Sequence, residues 1–449
     1  MSIPFKVLEN TKSAELFKLE KKYSAHNYTP LPIIVSEGHG EYLYDVDGNK
    51  YLDFGSSYGA TNTGHNHPII INEIKEQYDK IALPSRAFTH NLFGKFCETV
   101  CTRFGYEKVL PLNGGAEAIE FTIKLCRSWG YIKKGIPLNE AKVIMMKDNF
   151  HGRTIGVTSG STNEEAKENY GPFLPNVGPK FGLNNEFNVI FNDINSLEKC
   201  FQLEGNSIAG LIFETVQGER GIYVPDIGYL EKVRELCDKY NVLWCADEVQ
   251  MGSYRCGNKF FAFENLSKVK PDVVATAKSI TGGVYPSSIV LSSKEIMDTI
   301  GKNTHGATFS GSPIACAATI ATLKVYDDEK LGEKGVILGK EMFKGLYRLK
   351  EKYPLIEDIR GVGLIAGIDI NMDILEKKGM NVWHVCMFLR AMGIACKMVH
   401  EKTIRFCPSL VMNISGVKEG ISALEICCQK LPYIEANDIP GVEIFAYSH

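Results

Sequence analysis

From about residue 95 the chain alternates short apolar segments with longer amphipathic ones. The short segments are "KVIMM" (142–146), "IAGLIFE" (208–214), "VLWCADE" (242–248), "DVVATA" (272–277) and "SSIVLS" (287–292). Most are continuously apolar and β-branched, the pattern of strands buried on both faces. Helical runs such as "AEAIEFTIKLCRSWGY" and "GYLEKVRELCDKY" lie between them. This alternation predicts an α/β fold, a mostly parallel sheet between helices. Two flanking regions differ. "GEYLYDVDGNKYLDF" predicts a small hairpin turning at Asp47-Gly48-Asn49. After about residue 325, long charged helices, the segment "IEDIRGVGLIAGIDI" and a final helix predict a smaller α+β domain. The expected organisation is an N-terminal segment (1–55), a large domain (56–325) and a C-terminal domain (326–449).

Composition excludes several functions for the 449 residues. The net charge of −3 leaves no basic footprint for nucleic acid and no polybasic membrane patch. No apolar run reaches the ~18–20 residues of a membrane span. The first arginine is Arg86, whereas Glu9, Glu15 and Glu20 come early, unlike an Arg-rich, acid-poor presequence. A cytoplasmic protein is expected. The 13 cysteines include no CxxC and sit in apolar stretches, as small buried hydrophobes in a reducing compartment do.

Open parallel sheets bind ligands beyond the carboxyl ends of their strands. Glu214, the Asp247-Glu248 pair and Lys278 close or follow apolar strands there. Lys278 reads either as a snorkelling surface lysine or as a Schiff-base lysine. The Gly282-Gly283 pair after it permits close backbone approach to a ligand. Asp247 reads either as half of an ion pair or as the carboxylate that holds a protonated pyridinium nitrogen. Gly114-Gly115-Ala116 opens a helix whose N–H groups suit a phosphate, although the motif is neither a P-loop nor a dinucleotide fingerprint. "NFHGRTIG" supplies Phe150 to stack on a ring, His151, and Arg153 to clamp a carboxylate. His65 and His67 lack a third ligand of suitable spacing, so no metal is expected.

In one order along nearly the whole chain, "NGGAEA", "NFHGRT", "ETVQGERG", "ADEVQ", "AKSITGG" and "HGATFSGSP" resemble the class III aminotransferases of the fold-type I pyridoxal phosphate enzymes. Within that class, "AHNYTPLP", "SRAF", "GPFLPNV" and "KTIRFCPSLVM" resemble the ornithine δ-aminotransferases. The resemblance implies transfer of the δ-amino group of ornithine to 2-oxoglutarate, within arginine and proline metabolism, by a homodimer with shared sites. It implies that Lys278 bonds the cofactor and shuttles the proton, and that Asp247 pairs with the ring nitrogen. Gln250 bonds the phenolic oxygen, Phe150 stacks on the ring, and His151 belongs to the cofactor site. Gly114, Gly115 and Ala116 form the phosphate loop, and Thr308 reaches the phosphate of the neighbouring subunit. Tyr28 and Arg153 grip the distal end of ornithine, and Tyr58 lines the pocket. Arg405 receives the α-carboxylate of 2-oxoglutarate and is neutralised by Glu219 when ornithine is bound.

Some positions depart from the family pattern. Gly114 replaces a usual Ser or Thr and removes a hydroxyl from the phosphate site, roughly 1.5–3 kcal/mol of hydrogen bonding to a charged group. Thr215 replaces a common Pro, Met251 and Cys256 replace threonines, and Ser312 replaces an Asn. Arg220 stands beside Glu219, where a small residue is usual, and brings a cation able to compete with Arg405. Two other readings follow: an ω-aminotransferase for N-acetylornithine, lysine or 4-aminobutyrate, or a non-catalytic binding dimer that keeps the fold.

Overall fold

A computed structural model describes residues 11–25 and 27–442. The first ten residues, on which part of the compartment expectation rests, and the last seven lie outside the described residues. The chain divides into two compact units, one built from Pro68–Lys330 and the other from the residues before Pro68 together with those from Leu331 on.

The larger unit holds a seven-stranded sheet. Its strands are β1 (Lys108–Leu112), β2 (Lys142–Met145), β3 (Val177–Gly178), β4 (Ile208–Glu214), β5 (Leu243–Asp247), β6 (Val273–Thr276) and β7 (Ser288–Ser292). They lie in the order β1-β7-β6-β5-β4-β2-β3. All pairings are parallel except those of β7, which runs against β6 and β1. Every residue of β4, β5, β6 and β7 is buried, which is why these segments carry no polar alternation. Two strands lack that signature. β1 contains Pro111, tolerated because β1 is an edge strand, and β3 has only two residues.

Helix α1 (Gly115–Trp129) lies on this sheet through Ala118, Phe121, Thr122, Leu125 and Cys126, a 3.6-period stripe of fully buried side chains. Truncating Phe121, which has no solvent exposure, would cost about 3–5 kcal/mol.

The smaller unit contains the hairpin expected from the sequence, Tyr42–Asp45 against Lys50–Asp53. Ile394–Ala395 extends that sheet by pairing parallel with Leu52 and Asp53. Phe54 O accepts the N–H of Cys407, and the Phe54 and Phe406 rings lie 4.7 Å apart. These links fold the first residues together with the last quarter of the chain, an association that linear segment boundaries do not express. A second sheet, antiparallel, has the order Ile356–Val362, Ile365–Ile370, Thr403–Phe406, Lys397–Val399. "GVGLIAG" is a turn into a strand, as its sequence suggests.

Candidate active site

β1, β2, β4, β5 and β6 present their carboxyl ends at one rim of the large sheet. Gly115, Ala116, Phe150, His151, Glu214, Asp247 and Lys278 line a cavity of about 160 Å³ there, with Gly152, Val249, Gln250 and Met251 completing the wall. Sequence separations of up to 163 residues are thus closed by strand topology alone.

Lys278 opens a 3₁₀ turn (Lys278–Thr281) directly after β6. Its φ of +48° is left-handed, a conformation that costs a residue with a Cβ about 1–3 kcal/mol and persists where the surroundings fix it. Asp247, the last residue of β5, is buried and doubly held. His151 Nδ1–H donates to Oδ2 at 2.6 Å, and the Val249 N–H donates to Oδ1 at 3.0 Å. Burial alone would lower the basicity of His151, but the bond and charge of Asp247, with the charge of Glu214, raise it above the ordinary imidazole range. Glu214 ends β4 and ties two loops together: Oε1 accepts the Phe150 N–H and Oε2 the Gly218 N–H, each at 2.9 Å. Burial pushes its carboxyl up to about 7, against the pull of His151 and the two N–H bonds.

At the start of α1, Glu117 accepts the N–H groups of Asn113 and Gly114 at 2.8 and 3.2 Å. The Gly114 N–H is therefore engaged by a carboxylate. Gly115 and Ala116 carry first-turn N–H groups, which have no intrahelical partner, and both residues line the cavity. A Cβ on Gly115 would meet Val249 Cγ1 at 2.7 Å, so only glycine lets the helix start this close to β5.

An amine, a carboxylate, an aromatic ring and helix N-terminal N–H groups thus surround one cavity, and this donor set fits pyridoxal phosphate. The sequence profile of the Aminotransferase class-III family matches residues 23–428. The chain belongs to the class III aminotransferases. Pyridoxal phosphate is the cofactor of this class and of this aminotransferase. The chain is 44% identical to ornithine aminotransferase car2 of Schizosaccharomyces pombe, over 96% of this chain and 97% of that one. Among solved structures, ornithine aminotransferase from Toxoplasma gondii ME49 superposes with a TM-score of 0.88 at 33% identity, covering 94% of this chain and 96% of its own. Acetylornithine aminotransferase from Elizabethkingia anophelis superposes at 0.83 with 40% identity, covering 94% and 100%. The aminotransferase has the fold-type I architecture expected from its motifs.

The remaining residues singled out from the sequence fall into two groups. In the large unit, Gln250 Nε2 donates to Glu219 Oε1 at 3.1 Å, Arg153 is exposed with its guanidinium 5.7 Å from the Phe150 ring, and Thr308 is exposed. Arg220 does not turn to its neighbour Glu219. Its Nε lies 3.5 Å from Asp148 Oδ2, its NH1 donates to Gln217 Oε1 at 3.3 Å, and its guanidinium sits 4.5 Å from the Tyr223 ring. In the small unit, the buried Arg405 lies 5.1 Å from the ring of Tyr58, and Lys397 lies 5.4 Å from that ring and 5.6 Å from the ring of Tyr28. Lys397 carries no motif signal and was not singled out.

The departures from the family pattern have partners of their own. The Thr215 hydroxyl donates to the buried Glu248 at 2.6 Å. Ser312 caps the helix Pro313–Asp328 by accepting the Ala315 N–H, which an Asn would do equally well. Met251 lines the cavity, whereas Cys256 is buried beside it in sequence without lining it. His65 bonds Asp53 at 2.8 Å.

Proposed function

We propose that the aminotransferase moves the δ-amino group of L-ornithine to 2-oxoglutarate, giving glutamate 5-semialdehyde and L-glutamate. The observation that carries this reading is the small-unit cluster of Tyr28, Tyr58, Lys397 and Arg405. Phenolic hydroxyls suit a free α-amino and carboxylate group, and the cations suit the carboxylates of the oxo acid. The names of the relatives in fission yeast and Toxoplasma gondii support the same donor.

Pyridoxal phosphate supplies an electron sink for the carbon that carries the transferred amine. The chain's residues do the rest. Gly115 and Ala116 hold the phosphate with their N–H groups, and Phe150 packs on the ring. Asp247 holds a proton on the ring nitrogen, kept in orientation by His151. Gln250 bonds the phenolic oxygen. Lys278 would hold the resting cofactor and, once its amine is freed by the incoming donor, would take the proton from the δ-carbon as general base and then deliver it as general acid. Tyr28 and Arg153 grip the distal end of ornithine, Tyr58 lines its pocket, and Arg405 receives the α-carboxylate of 2-oxoglutarate. Glu219 tempers the anchoring charge when ornithine is bound. Thr308 reaches the phosphate of a neighbouring subunit in a homodimer. The protein works in the cytoplasm, within arginine and proline metabolism. Eleven of the thirteen cysteines are buried as small apolar side chains, which suits a reducing compartment, and no helix among the described residues is long and apolar enough to cross a membrane.

The likeness to an acetylornithine aminotransferase supports a second reading, in which the distal amine of the donor is acylated. Turnover with ornithine, N-acetylornithine, lysine and 4-aminobutyrate separates the two. Ornithine should lead in kcat/KM by at least about tenfold, and a lead by any other donor overturns the assignment. Borohydride should fix the cofactor to the wild type and not to Lys278→Ala, whose turnover should fall to background; a Lys278→Ala enzyme that still transaminates refutes the role of Lys278.

A further inference from the structure

Residues Ser56–Gly59 form a turn of left-handed backbone, with φ values of 43°, 48°, 61° and 81°. Three of the four carry side chains, for which this region is unfavourable. Backbone held there by its surroundings concentrates at functional sites. The turn is pinned by Asp53, whose Oδ1 accepts the N–H groups of Gly55 and Ser56 at 2.8 and 2.9 Å, while Oδ2 bonds His65. It sets the position of Tyr58.

Lys397 Nζ donates to the Tyr58 hydroxyl at 2.7 Å. Arg405 lies against the same ring. Lys397 and Arg405 are direct cross-strand partners, so both leave one face of their sheet. Two cations opposite each other repel, and an anionic ligand relieves that repulsion.

We propose that Lys397 is a specificity-determining residue of the aminotransferase. It fixes Tyr58 through its hydroxyl and places a second positive charge beside Arg405, so that the pair of cations favours the carboxylate of the oxo acid over the cationic donor. The inference rests on the assignment of Arg405 as the carboxylate anchor. A cationic donor such as ornithine gains nothing from the added charge and feels Lys397 only through the placement of Tyr58, so removing the lysine should weaken acceptor binding more than donor binding.

The test compares wild-type holoenzyme with Lys397→Met and Lys397→Arg, using 2-oxoglutarate and pyruvate as acceptors. Calorimetric titration with glutarate, an unreactive dicarboxylate, gives a readout independent of turnover. Lys397→Met should raise KM for 2-oxoglutarate and Kd for glutarate by about tenfold. It should raise KM for pyruvate by a similar factor and KM for the donor by less than about threefold, and Lys397→Arg should restore the wild-type values. Unchanged KM for 2-oxoglutarate and Kd for glutarate in Lys397→Met overturn the proposal, as does an equal loss for donor and acceptor, which would leave Lys397 only as a support for Tyr58. The acceptor constants are read with whichever amine the enzyme uses, so the donor assignment can fail separately. If Arg405→Lys leaves KM for 2-oxoglutarate unchanged while Lys397→Met raises it, the anchor assignment fails and Lys397 itself is the anchor.

Discussion

His151 Nδ1 lies 2.6 Å from Asp247 Oδ2, and both side chains are buried. The imidazole therefore sets the orientation of the carboxylate at the end of β5. Under the proposed assignment it would act on the cofactor through that carboxylate as well as by lining the cavity. His151→Asn should fold, because the amide can still donate one hydrogen bond, but should lower kcat about tenfold and weaken cofactor binding by a similar factor. Absorbance titration of the apoenzyme with pyridoxal phosphate measures the second effect. Wild-type affinity in the variant would leave His151 as packing only.

Glu214 makes stability depend on pH. Its folded pKa, pushed up by burial to about 7, exceeds its ordinary value of 4.5, so the folded protein binds the proton more tightly than the unfolded chain. Stability from this group is fully present below about 4.5 and declines as pH rises to about 7, by about 3 kcal/mol at most. Glu248, likewise buried and about 7, adds in the same direction. Glu214→Gln should melt lower at every pH, since an amide cannot accept both backbone N–H groups, and should show a shallower fall in Tm between pH 5 and 7.5. Parallel slopes in the two proteins would rule out this contribution.

Two adjacent glycines should respond in opposite ways. A Cβ at Gly114 meets nothing within 4 Å, and its extended backbone suits serine. Gly114→Ser completes an S-x-x-E capping box with Glu117 and should raise stability by about 0.5–1 kcal/mol. Where the hydroxyl turns to the phosphate instead, cofactor Kd falls. Gly115→Ala drives a methyl into Val249, whose N–H holds Asp247, and should weaken cofactor binding about tenfold with about 1–3 kcal/mol of overpacking strain. Paired cofactor titrations and melts of the two variants check the contrast.

Arg220 engages Asp148, Gln217 and the Tyr223 ring and leaves Glu219 to Gln250. Arg220→Ala should therefore change KM for ornithine and for 2-oxoglutarate by less than about twofold, with at most about 1 kcal/mol of stability lost. A strong shift in either KM would mean that Arg220 perturbs the switch after all.

Sequence marked the residues that line the cavity at the rim of the large sheet, but of the small-unit cluster it left Lys397 unmarked. The strand at 208–214 was legible to the residue because both its faces are buried, and Lys278, Asp247 and Glu214 were legible because they end such strands. β1 was hidden by Pro111, and β3 by its length. The His151–Asp247 bond joins residues 96 apart in sequence, so their pairing is invisible before the strands are ordered. Lys397 was hidden for a different reason. It is an ordinary lysine on a short strand, and only the register that sets it opposite Arg405 gives it a role. The left-handed conformation of "SSYG" likewise follows from the Asp53 contacts and not from local preference.

The residues proposed to hold the cofactor and move its proton, from Gly114 to Lys278 together with Thr308, all belong to one unit, while Tyr28, Tyr58, Lys397 and Arg405 belong to the other. On that assignment the chemistry and the grip on the acceptor are carried by separate stretches of chain. Substitutions in the smaller unit would then retune acceptor binding without touching the proton-transfer apparatus. A designer could search for a new acceptor within a few dozen residues around 56–58 and 397–405 and leave the other chemistry unaltered.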